Sequence, residues 1–290
     1  MHDSHLRSRL LLLAAAILFS TGGAAIKSGS LTSWQVASFR SAVAALVLIT
    51  LIPEARRGWT WRVWPVALAY SGTMVLFVVA ARLTTAANTI FLQSTAPLYV
   101  LLIGPLVLKE AVRKSDLVFI AAVALGLSLF FVGTESASVT APDPARGNLI
   151  AAFTGVTWAC TLSGLRWMGT RQASGATATV VAGNLIAFLV ALPMALPVAR
   201  VAFTDIAVIV YLGVFQIGLA YFCVTRAIRH VPAFEAVALL LVEPALNPVW
   251  AWIVHGERPS TWGFAGGALI LGATAVKTCW QARGGRPAVQ

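Results

Sequence analysis

"RHVPAFEAVALLLVEPALNPVWAWIVHGE" (229–257) aligns without a gap on "RLTTAANTIFLQSTAPLYVLLIGPLVLKE" (82–110). Arg82 meets Arg229, Ala86 meets Ala233, Leu92 meets Leu239, Pro97 meets Pro244 and Glu110 meets Glu257. Identity is low, but the arginine, proline and glutamate landmarks agree over the length of a whole apolar helix. One further glycine-containing apolar stretch follows each segment. The chain therefore reads as two related halves.

Composition sets the solvent. The chain has 290 residues, 59% hydrophobic and 11% charged, with a mean hydropathy of +0.84. A soluble domain is about a quarter charged, so too few charges remain here to cover a globular surface. The hydrocarbon core of a bilayer takes about 20 apolar helical residues. Apolar runs between charged or Pro/Gly breaks give ten such segments: 9–26, 34–52, 63–81, 86–108, 116–133, 147–168, 176–197, 205–225, 233–255 and 261–280. The expected fold is all-α and integral to the membrane, with ten transmembrane helices as two inverted five-helix repeats. Residues 1–135 form the first repeat, 136–146 a linker loop, and 147–290 the second repeat with a C-terminal tail. The N-terminal run has the look of a cleavable signal peptide. Its counterpart in the second half argues that it is retained.

Orientation follows from the basic residues. With the N-terminus on the cytoplasmic side, fifteen Lys and Arg fall on that side and five on the other, Arg40 lying within a span. That is a positive-inside bias, and an even number of spans places both termini in the cytoplasm. Five helices per half is odd, so the second half enters the membrane from the opposite side. Inverted repeats of this kind are common among secondary transporters, whose substrates bind near the midplane on interrupted helices. The net charge of +11 does not point to nucleic acid. The basic residues lie between apolar segments and form no continuous stripe.

Several intramembrane residues carry chemistry. Glu243 lies about ten residues into its segment, where a carboxylate must be neutral, paired or facing a wet cavity. Pro244 and Pro248 lack an N–H and leave the carbonyls of Leu240 and Pro244 without helical donors. Pro97 does the same for Gln93. Glu243, Asn247 and Trp250 fall at i, i+4 and i+7 on one helix face. Glu243 reads equally as a hydrogen-bonded neutral acid beside a fixed kink, as a substrate ligand or as a proton site. Arg40 is placed to snorkel to the interface, to bind a substrate carboxylate bidentately or to pair with Glu243, and Asn184 sits near its counterpart. Gln93, Tyr99, Trp158, Gln216 and Tyr221, with Asn88, Thr95, Thr157 and Thr161, suggest a cavity of amides and aromatic rings, although each alone reads as a helix-packing contact. Such a cavity suits a zwitterionic or aromatic metabolite better than a phosphate. Glu110 and Glu257, at span ends, read as structural carboxylates that pair with loop bases or cap neighbouring helices. Glu235 reads as hydrated. Trp59, Trp61, Trp64 and Trp280 read as interface anchors, and Gly263, Gly266, Gly267 and Gly272 as a close-packing face.

The pattern resembles the EamA family of the drug/metabolite transporter superfamily. The residues that carry the resemblance are Arg40, the "P…KE" of Pro97, Lys109 and Glu110, and the "EP…GE" of Glu243, Pro244, Gly256 and Glu257. It covers about 9–281 and implies export of small metabolites across a bacterial inner membrane. Similarity to exporters of the YddG type implies amino acids, aromatic ones included, with other drugs or organic metabolites as the alternative within the family. The resemblance implies no cofactor and no ATP use, and the chain contains no GxxxxGK[ST] sequence. Expected partners are a small-molecule substrate and the lipid bilayer, and the sequence is compatible with a monomer. An embedded enzyme would need a motif such as HExxH or GxSxG, and neither occurs. A channel would need repeated pore-lining charge. The cysteines Cys160, Cys223 and Cys279 have no metal-type spacing.

Overall fold

A computed structural model describes residues 2–107, 114–132, 136–171, 173–227 and 239–283. The described residues contain helices and no strand. In chain order these are α1 (His2–Ser20), α2 (Gly22–Lys27), α3 (Ser33–Leu51), α4 (Val63–Leu83), α5 (Ala86–Gln93), α6 (Ala96–Val107) and α7 (Lys114–Leu129). The second half continues with α8 (Pro144–Arg171), α9 (Ala173–Ala195), α10 (Phe203–Val210), a π-helical stretch (Tyr211–Leu219), α11 (Ala220–Ala227), α12 (Val242–His255) and α13 (Thr261–Arg283). Among the described residues six helical segments are long and apolar enough to cross a membrane: Leu6–Lys27, Ser33–Leu51, Val63–Leu83, Pro144–Leu165, Gly175–Ala195 and Phe203–Val224. Glu110, Glu235, Arg229 and their parts of the aligned segments lie outside the described residues.

The distribution of side chains is that of a protein solvated by lipid. Leu46, Leu68, Phe203, Phe264 and Trp280 are exposed, as are Trp59, Trp61 and Trp64. Ser38, Arg40, Ser41, Thr73, Asn88, Thr95, Asn184 and Asn247 are buried. Polar groups that find no water in a bilayer must find partners inside the bundle. One set does so where α4, α5, α7 and α8 meet. Thr84 Oγ1 donates to Asn148 Oδ1 at 2.7 Å, Asn88 Nδ2 donates to the same oxygen at 3.2 Å, and Asn148 Nδ2 donates to the Phe130 carbonyl at 3.1 Å. Asn88 thus belongs to a structural knot, as does Thr157, whose hydroxyl accepts from Thr73 at 2.9 Å.

Helix packing pairs α3 with α9, α4 with α8 and α9, α7 with α13, α5 with α8, α1 with α11 and α12, and the π stretch with α3. Close approach needs small residues. A Cβ on Gly266 would lie 2.6 Å from the Gly126 carbonyl, and one on Gly267 would run into the Phe91 ring. Gly272 faces open space, so it is not part of this packing face.

The segment expected as one span over 86–108 is two helices. α5 ends at Gln93, Ser94 and Thr95 form a turn, and α6 starts at Ala96. Leu241 is likewise a turn residue before α12 starts at Val242. In the alignment of the halves Ser94 faces Leu241, so the backbone breaks at equivalent places. The prolines act differently from the expected kinks. Pro97 and Pro244 fall in the first turn of the restarted helices, where a missing N–H costs nothing. The Leu240 carbonyl is therefore not an orphan of a continuous helix. Pro248 alone lies inside α12. Side chains close the first break: Ser94 Oγ donates to the Ile90 carbonyl at 2.7 Å and Thr95 Oγ1 to the Leu92 carbonyl at 2.6 Å.

Candidate functional site

Arg40 stands at the centre of the site. It lies in α3 with 1% of its surface exposed, so it does not snorkel. Its Nη2 donates to the Met74 carbonyl of α4 at 2.9 Å, and its Nη1 reaches Gln216 Oε1 at 3.4 Å. Its Nε has no partner. Glu243 is not among its ion-pair partners, which removes the expected direct Arg40–Glu243 pair. A guanidinium is never deprotonated under ordinary conditions. Arg40 is therefore a permanent positive charge held by one carbonyl and one amide.

Tyr221 belongs to the cluster beside Arg40: Met74, whose carbonyl holds the guanidinium, packs against the core that contains Tyr70 and Tyr221. The Tyr221 ring lies 5.8 Å from that of Tyr70 and 5.2 Å from that of Phe19. Tyr70 is held from the other side by Asn184 Nδ2, which donates to the phenol oxygen at 3.1 Å. The cluster thus joins α1, α3, α4, α9, the π stretch and α11. Gln216 enters this cluster from the π stretch. A π segment displaces its side chains from the α-helical register, and such segments are frequent at functional sites.

On α12 the three face residues have separate surroundings. Glu243 keeps some accessible surface. Trp250 donates from Nε1 to Ser20 Oγ of α1 at 2.9 Å. Asn247 is fully buried against Gly23, and both its amide atoms lack partners. Tyr99 and Thr95 press on Gly155 of α8, one turn from Trp158. Gln93, Tyr99 and Trp158 are partly exposed, one each on α5, α6 and α8.

Sequence reasoning did not single out Tyr70, Met74, Phe19 or Ser20. A lone tyrosine or methionine in an apolar span carries no periodic signal, and a carbonyl acceptor carries none at all. It also left Lys27 and Asp205 without a role. Asp205 caps α10 by accepting from the Ala202 N–H at 2.9 Å, and its carboxylate also takes the Ser30 N–H at 2.6 Å and the Ser30 hydroxyl at 2.7 Å. Among the described residues no group of His, Cys, Asp and Glu could hold a metal ion.

The sequence model of the EamA-like transporter family matches residues 6–132 and 145–278, one stretch in each half. The chain belongs to the EamA-like transporter family. It is accordingly a multi-pass membrane transporter of small molecules and not an enzyme. A solved crystal structure matches with a TM-score of 0.64 over 96% of this chain and 99% of that chain, at 19% identity, a likeness of fold alone. No curated protein matches the sequence. In this EamA-like chain the gap between the two matched stretches falls in the connection from α7 to α8. The aligned helix breaks lie one in each stretch.

Proposed function

We propose that the protein is a secondary exporter of amino acids, aromatic or otherwise neutral, working by alternating access in a bacterial inner membrane with both termini cytoplasmic. Its ten transmembrane helices form two inverted five-helix repeats. Helix packing supports the repeat. Exchanging α1 with α8, α3 with α9, α4 with α10–α11, α5 with α12 and α7 with α13 converts each main packing pair into another. The α4–α8 pair becomes α11–α1, the α5–α8 pair becomes α12–α1, and α3–α9 and α7–α13 map onto themselves.

One observation carries the substrate reading: the buried Arg40 guanidinium, held by a carbonyl and an amide, sits beside a cluster that contains the Phe19, Tyr70 and Tyr221 rings. A zwitterion presents a carboxylate and an ammonium a few ångströms apart. Arg40 suits the first and Glu243 the second, and the Phe19, Tyr70 and Tyr221 rings suit an aromatic side chain between them. Glu243 is also the deep acid available to carry a coupling proton.

The test is uptake of a panel of amino acids into proteoliposomes, with and without a pH gradient, for the natural protein and Glu243→Gln. Saturable uptake with counterflow marks a carrier, and linear uptake marks a channel. Glu243→Gln is expected to lose the response to the gradient and to raise KM about tenfold or more, as removal of a charge-assisted contact does. Unchanged uptake in both conditions removes Glu243 from the site.

A further inference from the structure

Away from the Arg40 cluster, at the end of the bundle opposite the N-terminus, lies a closed ion pair. Lys27 Nζ and Glu257 Oε2 are 2.7 Å apart, with both side chains 3% exposed. All three ammonium protons of Lys27 are used: it also donates to the Thr84 carbonyl at 2.8 Å and the Thr140 carbonyl at 2.6 Å. The other Glu257 oxygen accepts from the Ala86 N–H, the first free donor of α5. Two residues away, His255 Nε2 meets the Ala24 carbonyl at 2.9 Å and Ser28 Oγ at 3.4 Å.

The backbone is shaped to make this pair. Gly256 ends α12 with φ of 66°, a left-handed conformation suited to glycine. The chain turns back there, and the Glu257 N–H returns to the Ala251 carbonyl at 3.3 Å. The glutamate is thereby aimed at α2 and α5 instead of away from the bundle. One carboxylate ties together three elements: α2, the start of the broken α5–α6 span, and the end of the broken α12 span.

The seam behind this pair is sealed. Asn247 lies eight residues before His255, about 12 Å along α12, and none of its surface is exposed. It packs on Gly23, where a Cβ would come within 2.7 Å of the Asn247 Oδ1. A path from this face to Glu243 along the α2–α12 seam is closed, and the seam opens only if Lys27 and Glu257 part.

We infer that Lys27 and Glu257 form the latch of the transporter's gate on the face opposite the N-terminus, and that the structure shows this gate closed. The latch rests on the alternating-access reading. Opening must separate α12 from α2 and α5 together, because Glu257 holds both. Losing either partner strands a buried charge and favours the open form.

The test uses the full chain with Cys160, Cys223 and Cys279 replaced by Ser and with Asn247→Cys as a reporter, in sealed vesicles of either orientation. A membrane-impermeant maleimide is added to one face at a time. With the latch intact, labelling from the latch face is expected to be slow. Lys27→Met and Glu257→Gln are expected to speed it about tenfold or more, as loss of one partner of a buried pair shifts an equilibrium. Lys27→Arg, which keeps the charge and the donors, is expected to label slowly. No acceleration in the two neutral variants, or acceleration equal in Lys27→Arg, overturns the latch. A rise from both faces at once in those variants marks loss of fold and also counts against it. Fast labelling from both faces with the latch intact overturns alternating access itself.

Discussion

Asn247 is a residue whose surroundings do not satisfy it. Its amide is fully buried on α12 with neither oxygen nor nitrogen partnered. Such a group costs about 1–3 kcal/mol against an apolar residue of similar shape. Asn247→Leu is therefore expected to raise the melting temperature of the detergent-solubilised protein and to lower substrate uptake. A variant that is destabilised, or that transports as well as the natural protein, would show that the amide is satisfied or idle. Arg40 presents the same tension with a charge. It is fully buried with an unpartnered Nε, and among the described residues no carboxylate pairs with it. Its presence was legible in the sequence as a lone arginine inside an apolar segment. Its burial was not, because a position seven residues into a helix is consistent with either a snorkelling or an inward side chain. Lys27 was legible only as a loop base, since its partners lie 57, 113 and 230 residues away in the chain.

Among the elements, the π stretch Tyr211–Leu219 has the largest leverage on the site. It carries Gln216 and sets the rotation of α11, which carries Tyr221. Deleting Val214 lets the stretch close to a regular α-helix and moves Gln216 off its π position. The shortened protein is expected to insert in the membrane and to fail in uptake, because Gln216 leaves Arg40. Retained uptake would place the site elsewhere. No sequence feature announced this π stretch: its residues are as apolar and as helix-compatible as their neighbours. The uninterrupted spans were legible, since length and apolarity alone define α3, α4 and α9 to within a few residues. The breaks were half legible. Pro97 and Pro244 marked the neighbourhood, but the chain breaks at Ser94–Thr95 and Leu241 and leaves the prolines in first turns. A proline forbids a donor; it does not by itself say on which side the helix will stop.

At the scale of the whole molecule the first and second halves of the chain meet through α3–α9, α4–α8 and α1–α11. A protease site inserted between Ser136 and Ala137 is expected to be cut without loss of uptake, with the two fragments co-purifying in mild detergent. Fragments that separate would show that the linker holds the halves together. The linker is nonetheless not an idle tether. Its Thr140 carbonyl is one of three acceptors around the Lys27 ammonium, and the Asp143 N–H is bonded to the Leu83 carbonyl at 3.0 Å. On the proposed latch, a loop that is exposed at 136–139 and bonded through Thr140 to Lys27 changes with the state of the Lys27–Glu257 pair. An antibody fragment raised against residues 136–143 would favour whichever arrangement presents its epitope, and by thermodynamic reciprocity would hold the transporter there. The loop is thus an external handle, by which a large molecule that never enters the membrane could arrest the transport cycle.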